Sequence, residues 1–223
     1  MLASRGIHDL VICPTSSTKG TMLATASADQ MVRIWWAPCM SVVCLAELPG
    51  HADQVTQLAW SSISRCLAST SLDKTVRIWT CDNAAPCAWS CQAKLTGHSG
   101  RVTALRFVQE GTQIVTGSTD STLRIWCCAS WKCIKILQGH KSLVTVVDCS
   151  GDGQLVASAS GDGCCCVWDL AEGALKHKLQ ADSGGVTSCR FIPDRQSTTT
   201  NVLATAHYDR QRNQVECFCG TLQ

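Results

Sequence analysis

A thirteen-residue segment that recurs four times constrains the fold of this chain more than any other feature. Each copy begins with apolar and small residues, continues through a turn rich in Ser, Asp and Gly, and ends in a branched stretch and a tryptophan. This order predicts two strands joined by a tight turn, which is a β-hairpin. The copies are LATASADQMVRIW (23–35), LASTSLDKTVRIW (67–79), IVTGSTDSTLRIW (114–126) and VASASGDGCCCVW (156–168).

The spacing of the copies indicates one repeated structural unit. Tandem periods of about 40–45 residues are typical of β-propellers, in which each repeat supplies one four-stranded blade. The copies in this chain recur at close to that period, as the positions of their final tryptophans show. These are Trp35, Trp79, Trp126 and Trp168. The chain is therefore predicted to be built from blades of this kind.

A Gly-His pair precedes the last three copies, at Gly50-His51, Gly97-His98 and Gly139-His140. In all three repeats the histidine stands at the same distance from the turn aspartate, and again at the same distance from the tryptophan. The connection from one tryptophan to the next histidine varies in length. A segment of constant length with variable connections indicates a packed unit joined by surface loops, because loops tolerate insertions and strands do not.

These motifs resemble the WD-repeat family of β-propellers, whose repeats carry a Gly-His near the start and a Trp-Asp near the end. Only Trp168 is followed by aspartate here; the other tryptophans precede Trp36, Thr80 and Cys127. The resemblance implies an all-β propeller of WD repeats that forms a single domain over residues 1–223. Its four recognisable four-stranded blades are expected at about residues 8–48, 50–96, 97–138 and 139–180.

A partial fifth blade, at about residues 182–218, begins and then loses the pattern. Asp182 replaces the histidine, and residues 210–213 contain no counterpart of Thr-Val-Arg-Ile-Trp. We expect an irregular third strand near residues 214–218, a poorly ordered tail after Asp209 and no outer strand. Four blades and part of a fifth predict an incomplete, open ring. The alternatives are a ring closed on five blades, completion by another chain, and a fragment or alternative product.

Composition excludes some function classes. A net charge of +2 gives no electrostatic support for binding nucleic acid or an anionic membrane. The sequence has no run of 18 apolar residues, so no membrane span is predicted. The N-terminal residues do not have the pattern of a secretory signal. We therefore expect an intracellular protein of the cytoplasm or nucleus.

The seventeen cysteines are interpreted as reduced structural thiols. Their number is odd, and Cys164, Cys165 and Cys166 replace the Thr-Val-Arg of an equivalent strand, where free cysteine packs as a small hydrophobe. Zinc sites need paired ligands at close spacing such as C-x2-C, which residues 127–133 and 217–219 do not supply. We predict no metal and no cofactor.

Each repeat also carries a hydroxyl residue four positions before the turn aspartate. The family resemblance implies that His, Ser or Thr, Asp and Trp of one repeat form a hydrogen-bonded chain inside the blade. Such groups can satisfy one another and are costly when buried unpaired. The three complete sets are His51, Ser69, Asp73 and Trp79; His98, Thr116, Asp120 and Trp126; and His140, Ser158, Asp162 and Trp168.

Two further recurring positions extend this pattern. His8 is the candidate histidine of the first blade, although it stands one position closer to its turn aspartate, Asp29, than the other histidines stand to theirs. Arg33, Arg77 and Arg124 occupy equivalent strand positions. We interpret these arginines as solvated charges on the blade surfaces and not as a phosphate site.

Ser, His and Asp also make up a nucleophilic triad, but their repetition argues against catalysis. An enzyme needs one such constellation in one cleft, whereas this chain has three sets with the same spacing. We predict that the chain is not an enzyme and has no catalytic residues.

Positions that differ between repeats are better candidates for binding. In a propeller blade, the loop after Gly-His and the turn that holds the aspartate open onto the same face. Residues there mix charge, polarity and apolar surface without repetition, as expected of a face adapted to a partner. The alternative is that they are unconstrained loop residues. The candidates are Asp53, Leu72, Arg101, Thr119, Lys141 and Tyr208.

The sequence as a whole favours a non-catalytic scaffold or adaptor that holds other proteins within a multiprotein complex. The alternative is a peptide or modified-tail receptor, as in the chromatin readers and ubiquitin-ligase substrate receptors of the WD-repeat family. A ribonucleoprotein component and a propeller enzyme have less support. The expected partners are proteins, with self-association or completion by another chain included, and neither a membrane nor directly bound nucleic acid is expected.

Overall fold

The computed structural model describes residues 6–14, 20–38, 41–62, 66–82, 88–181, 184–192, 201–209 and 214–222. These residues form strands in five antiparallel sheets that follow one another along the chain. A single 3-10 turn, Gln109–Gly111, is the helical element within this described part. The described residues contain no helix long and apolar enough to cross a membrane.

Each of the first four sheets contains four consecutive strands in chain order. The first sheet consists of β1 (Ile7–Ile12), β2 (Thr21–Ser27), β3 (Val32–Ala37) and β4 (Val43–Leu48). The second consists of β5 (Val55–Trp60), β6 (Cys66–Ser71), β7 (Val76–Cys81) and β8 (Trp89–Leu95). The third consists of β9 (Val102–Val108), β10 (Gln113–Ser118), β11 (Thr122–Cys127) and β12 (Lys132–Gln138). The fourth consists of β13 (Val144–Cys149), β14 (Leu155–Ser160), β15 (Cys164–Asp169) and β16 (Leu175–Gln180).

The fifth sheet has three strands, β17 (Val186–Ile192), β18 (Asn201–Asp209) and β19 (Gln214–Leu222). β19 pairs with β18 over its whole length, from Asn201 opposite Leu222 to Asp209 opposite Gln214. The third strand is therefore longer and more regular than the sequence predicted, and the expectation of a poorly ordered tail is wrong for residues 214–222. Asp182 and residues 210–213 lie outside the described residues.

The first strand of each sheet contains a bulge that the sequence pattern did not reveal. In β1 the register shifts between Ile7 and Asp9, and the same shift occurs between Val55 and Gln57 in β5. A bulge adds one residue and interrupts the two-residue alternation. β1 therefore continues through the bulge and begins at Ile7.

The core is divided among the interfaces between successive sheets. Because neighbouring strand positions point to opposite sides, each sheet has two faces. We call the side that packs on the preceding sheet the leading face and the side that packs on the following sheet the trailing face. In the first sheet the leading face carries Ile7, Leu10, Ile12 and Leu23, and the trailing face carries Val11, Ala24, Ala26 and Ile34.

Four apolar clusters fill the four interfaces, each built from one trailing and one leading face. The first strands of neighbouring sheets contact one another and therefore surround the axis, as in a propeller. No cluster joins the fifth sheet to the first within the described residues. The prediction of an open all-β propeller with four blades and a partial fifth is confirmed.

Candidate functional site

The second blade brings its four predicted network residues into one hydrogen-bonded chain. His51 Nδ1 lies 2.9 Å from Asp73 Oδ2, and His51 Nε2 lies 2.8 Å from Ser69 Oγ. The indole Nε1 of Trp79 donates to the same Ser69 oxygen at 2.8 Å. All four residues belong to one blade, and the network connects its strands to the loop before β5 and to the turn between β6 and β7.

The third and fourth blades repeat this geometry. In the third blade the His–Asp, His–Thr and Trp–Thr distances are 2.8, 2.8 and 2.9 Å. In the fourth blade the corresponding distances are 3.1, 2.8 and 2.8 Å. The residues are His98, Thr116, Asp120 and Trp126 in the third blade, and His140, Ser158, Asp162 and Trp168 in the fourth.

The proton positions in this network follow from the indole N–H at one end, which can only donate, and the carboxylate at the other, which can only accept. An indole N–H can only donate, so the Trp79 group donates to Ser69 Oγ. That hydroxyl can then donate its own proton to Nε2 of a neutral His51, which leaves the Nδ1–H of the histidine to donate to Asp73. Every polar atom of the set has a partner, and each buried group is satisfied.

The aspartate carboxylate also closes the turn between the second and third strands. Asp73 Oδ1 accepts the backbone N–H of Thr75 at 2.9 Å, while Oδ2 accepts the backbone N–H of Ala52 at 3.0 Å. The intervening Lys74 has a left-handed backbone with φ of 70°, a conformation that non-glycine residues rarely adopt. The carboxylate therefore holds a strained turn and the loop after Gly-His together.

Hydrogen bonding keeps these carboxylates ionised. Burial raises the pKa of Asp73, but hydrogen bonds from His51 and Thr75 outweigh burial, and the pKa lies well below its usual range. Asp120 has a lowered pKa for the same combination of reasons. At Asp162 burial is outweighed chiefly by backbone N–H donors, and the pKa is again lowered.

Burial has the opposite consequence for the histidines. It lowers the pKa of His98 and of His140, although the neighbouring aspartates act to raise it. Neutral imidazole is therefore the favoured form, in agreement with a hydroxyl donating to Nε2.

The glycine before the network histidine of the third blade has a backbone conformation that other residues rarely adopt. Gly97 has φ of 146°, and a Cβ atom placed on it would lie 2.6 Å from Nη1 of Arg124. A side chain at this position would strain the backbone and displace the guanidinium. The Gly-His motif thus combines a backbone requirement with a hydrogen-bond donor.

The first blade lacks the complete network. His8 is exposed, lies at the bulge of β1 and has its Nε2 3.1 Å from Oε1 of Gln54 in the next sheet. Asp29 forms an ion pair with Arg33 at 2.9 Å instead, and Thr25 accepts the indole N–H of Trp35 at 2.8 Å. The interpretation of His8 as the network histidine is therefore wrong, because at the bulge of β1 its ring contacts Gln54, just before β5, and not the turn of its own blade.

Sequence reasoning missed a serine two residues before each turn aspartate. The Ser71 hydroxyl accepts the backbone N–H of Asp73 at 3.0 Å and donates to the carbonyl of Asp53 at 3.0 Å. The recurring Ser-x-Asp was visible in all four copies and could have revealed it. The equivalent serines are Ser27, Ser118 and Ser160.

A threonine at the bulge of the first strand was also missed, and it connects neighbouring blades. Thr56 Oγ1 donates to the carbonyl of Val102 at 2.7 Å. Thr103 donates to Val144 at 2.6 Å, and Thr145 donates to Val186 at 3.0 Å. They recur as the threonine of a Val-Thr pair five positions after each network histidine, so the spacing could have revealed the threonines, although it does not show which sheet they contact.

The candidate partner residues lie in adjoining loops. The N–H of Leu72 donates to the carbonyl of Gln54 at 3.0 Å, beside Asp53. The N–H of Thr119 donates to the carbonyl of Arg101 at 2.9 Å, and Thr119 Oγ1 accepts the N–H of Arg101 at 2.9 Å. In each of these blades the loop after Gly-His and the aspartate turn therefore form one continuous surface.

Two candidate residues differ in their surroundings. Lys141 is exposed, and its N–H donates to Asp162 Oδ2 at 2.7 Å, so its side chain projects from the same kind of loop. Tyr208 does not occupy a turn, because its backbone continues β18 and pairs with Val215. The Tyr208 side chain lies outside the described part of the chain.

The arginine series is less solvated than predicted. Arg77 is partly buried; its Nη2 donates to the carbonyl of Gly50 at 2.6 Å, and its guanidinium lies 6.0 Å from the Trp79 ring centroid. These contacts place the arginine against the Gly-His segment, where it covers the network.

Most described cysteines act as small core residues. Cys165 and Cys189 pack together in the cluster between the fourth and fifth sheets. Burial raises the pKa of Cys66 and of Cys166 to about 12, so both remain thiols. Cys81 is an exception to the expected reduced state, since it is disulfide-bonded. Among the described residues no group of three or more His, Cys, Asp or Glu side chains could hold a metal ion.

Ser, His and Asp are hydrogen-bonded in the same order as in a nucleophilic triad, but the serine hydroxyl is not accessible to a substrate. Ser69 is fully buried, and its oxygen already accepts the Trp79 indole N–H. A nucleophile must reach a substrate carbonyl from a cleft, and a hydroxyl enclosed within a blade does not. The chemistry that this arrangement supports is internal hydrogen bonding.

Fold and network together define a β-propeller in which three blades contain the same internal hydrogen-bonded set. The family model described as WD domain, G-beta repeat matches residues 4–35, 42–80, 89–127 and 131–169, which is more than half of the chain. The chain belongs to the WD-repeat family.

Several curated proteins are similar to parts of the chain. Protein transport protein sec13 of Neurospora crassa is 39% identical over 79 residues, covering 33% of this chain and 26% of that protein. A U4/U6 small nuclear ribonucleoprotein PRP4-like protein of Arabidopsis thaliana is 40% identical over 62 residues, covering 28% and 11%. Mitochondrial division protein 1 of Schizosaccharomyces pombe is 44% identical over 61 residues, covering 27% and 9%. The matches span about a quarter or less of these relatives' own lengths.

Proposed function

We propose that this chain is a non-catalytic scaffold that holds partner proteins on the face formed by the Gly-His loops and the aspartate turns. The observation that carries the proposal is a contrast within the second, third and fourth blades: the network residues repeat with nearly the same geometry, whereas the adjoining loop residues differ. Repeated, satisfied polar groups maintain the fold, and variable exposed groups on a rigid frame are suited to recognition. In this proposal residues 1–223 form one propeller domain.

The family relationship supports protein partners within an intracellular complex, in the cytoplasm or nucleus. The name of the PRP4-like relative places that protein in a small nuclear ribonucleoprotein. On this chain the contacts are expected at Asp53, Leu72, Arg101, Thr119 and Lys141, whereas Tyr208 lies within β18 and not in a turn. Charged and aromatic side chains are the best anchors among them.

The alternative of a peptide or modified-tail receptor that uses the axial channel has weaker support. Side chains already occupy several backbone donors of the innermost strands: Asp9 accepts the N–H of Leu58 at 2.8 Å, and Gln57 accepts the N–H of Leu105 at 2.6 Å. These donors are not free to pair with an added peptide strand. The loop face therefore remains the better candidate surface.

A double charge reversal tests the proposal. Arg101→Glu and Lys141→Glu in the full chain should abolish co-purification of most partner proteins, measured by affinity purification and quantitative mass spectrometry. The matched control is Lys94→Glu with Lys132→Glu, which makes the same charge change at exposed positions of β8 and β12. If the partners remain with the first variant, or are lost equally with both, the loop face is not the binding surface.

A further inference from the structure

A cavity lies where three of the innermost strands end. Strands β5, β9 and β13 each begin just after a Gly-His loop and run away from it, so the residues that follow them lie at the opposite end of the blades from Arg101 and Lys141. The cavity has a volume of about 270 Å³ and is lined by residues of the second, third and fourth blades. They are Ser62 after β5, residues 107–111 around the end of β9 and residues 149–153 around the end of β13.

The loops of the third and fourth blades contact one another at this cavity. Gly153 has a left-handed backbone with φ of 69°, and a Cβ atom placed on it would lie 3.3 Å from Cα of Gln109. Gln109 and Glu110 are left-handed as well, with φ of 48° and 54°, a conformation that non-glycine residues rarely adopt. The cavity is therefore bounded by two closely packed loops, one of which holds Glu110 in an unusual backbone conformation.

Two carboxylates that line the cavity have no cation beside them. Glu110 and Asp152 are both exposed, and within the described residues neither forms an ion pair. Asp152 Oδ1 accepts Ser150 Oγ at 2.5 Å and the N–H of Gln154 at 3.0 Å. These bonds orient the Asp152 carboxylate and leave its Oδ2 free to accept a donor from outside the described residues.

Apolar surface lies beside these carboxylates. Val108 is buried and Phe107 and Cys149 are partly buried, and all of them line the cavity. A mainly apolar lining with a few polar groups is typical of ligand sites. Sites for whole small molecules usually have volumes of about 300–1,000 Å³, so this cavity suits a single side chain that is apolar along its stem and positively charged at its end.

We propose that this cavity binds an arginine side chain from an exposed segment of a partner protein. The planar guanidinium carries several N–H donors in a fixed arrangement, which can pair with both Glu110 and Asp152. Its stem and its flat face can pack on Phe107 and Val108. The two carboxylates repel an acidic or phosphorylated segment. This site goes beyond the proposed function, because it lies at the other end of the blades from the loops that the proposed function uses.

NMR titration of the isotope-labelled full chain with the peptide acetyl-Gly-Arg-Gly-amide tests this assignment. The backbone amide signals of Gly111, Gly151 and Gly153 should shift in a saturable way. The matched probe carries citrulline, which has nearly the shape of arginine without its charge. It should bind roughly tenfold or more weakly, because the charge-assisted hydrogen bonds are lost. A lysine peptide should also bind more weakly, since an ammonium group lacks the planar fork of donors.

Two double variants separate this cavity from general electrostatic attraction. Glu110→Gln with Asp152→Asn should weaken binding of the arginine peptide by roughly tenfold or more, and asparagine keeps the Oδ1 acceptor within the loop. The control is Glu47→Gln with Glu172→Gln, which makes the same change of charge at exposed positions outside the cavity and should leave binding unchanged.

Several results would overturn the proposal. They are the absence of a saturable shift at the cavity glycines, equal binding of the arginine and citrulline peptides, and equal losses in the two double variants. A lysine peptide that binds as tightly as the arginine peptide would overturn the assignment to arginine. The comparison of peptides uses the unaltered chain, so it remains decisive if a variant fails to fold. Arg101→Glu with Lys141→Glu should leave peptide binding intact, which separates this site from the loop face.

Discussion

At the scale of single residues, the turn aspartates make two kinds of hydrogen bond. One carboxylate oxygen accepts a backbone N–H of the hairpin turn. The other accepts hydrogen bonds from the histidine ring and from a backbone N–H of the Gly-His loop. The carboxylate therefore connects two segments that are distant in the sequence, since one oxygen bonds within the turn and the other bonds to the Gly-His loop. Removing it should affect the stability of the blade and leave donors without a partner.

The first prediction concerns Asp120. Asp120→Ala should lower the free energy of unfolding by about 1–3 kcal/mol, because buried His98 and the turn lose their acceptor. Asp53→Ala is the control: Asp53 accepts a hydrogen bond from its neighbour Gln54, and its loss should cost within about 0.5 kcal/mol. Thermal and urea denaturation measure both. An unchanged melting temperature for Asp120→Ala, together with loss of a hydrolytic activity, would contradict the structural role.

The second prediction concerns pH. Burial lowers the pKa of His98 and His140 in the folded chain, so below the unfolded pKa of about 6.5 the unfolded chain binds protons that the folded chain does not. Stability should therefore fall as pH decreases from 7 towards 5. The lowered pKa values of the turn aspartates should cause a further loss below about pH 4, the usual range of the unfolded carboxyl group.

Urea unfolding at several pH values measures this dependence. His98→Gln should flatten the slope between pH 7 and 5, because one of the titrating groups is removed. His177→Gln is the control, since His177 lies on the outer strand β16. A stability that rises on acidification through pH 6 would show that the histidines are charged in the folded chain.

At the scale of strands and sheets, side chains of one blade satisfy backbone groups of the next. The threonines at the bulges of the second, third and fourth sheets donate to the carbonyl of the first strand residue in the following sheet. Neighbouring sheets are therefore joined by directional contacts in addition to the apolar clusters between them. Directional contacts of this kind set the position of one sheet against its neighbour.

The third prediction tests this coupling. Thr103→Val should lower the free energy of unfolding by about 0.5–1.5 kcal/mol, because the hydrogen bond from Oγ1 to the carbonyl of Val144 is lost. Thr187→Val is the control at the equivalent position, where the hydroxyl bonds at 3.1 Å to Ala206 of its own sheet. Equal costs for the two substitutions would show that the inter-sheet bond adds nothing.

At the scale of the whole molecule, the open ring leaves two faces that no other sheet of the described residues covers. A closed propeller hides every leading and trailing face, and an open one exposes apolar surface at its ends. This difference should be visible in solution.

The fourth prediction is that the chain binds a hydrophobic dye and self-associates more than a closed propeller does. Leu10→Gln with Ile12→Gln should reduce both dye fluorescence and association in sedimentation velocity, because these side chains belong to a continuous apolar face. Ile134→Gln with Ile136→Gln should have a smaller effect, since those residues lie on an outer strand. A compact monomer without dye binding would show that the leading face is covered.

The sequence by itself determined the repeats, the open-propeller class and the membership of each His, Ser or Thr, Asp and Trp set. These features depend on contacts within one blade. Because the strands have constant length, residues that meet in space within a blade are separated by a constant number of residues in the sequence. The structure brings the three complete sets together. Their structural role and the partner surface remain predictions.

Only the tertiary structure decided what happens between blades. Three features depend on which sheet lies next to which. They are the inter-sheet hydrogen bonds of Thr56, Thr103 and Thr145, the contact of His8 with Gln54, and the exposure of Leu10. Leu10 and Leu58 are the same residue at equivalent positions, and one is exposed while the other is buried. A sequence repeat specifies which side chains lie on each face of a blade. Burial needs a second surface in contact with that face, and the repeat does not show whether a second surface is present.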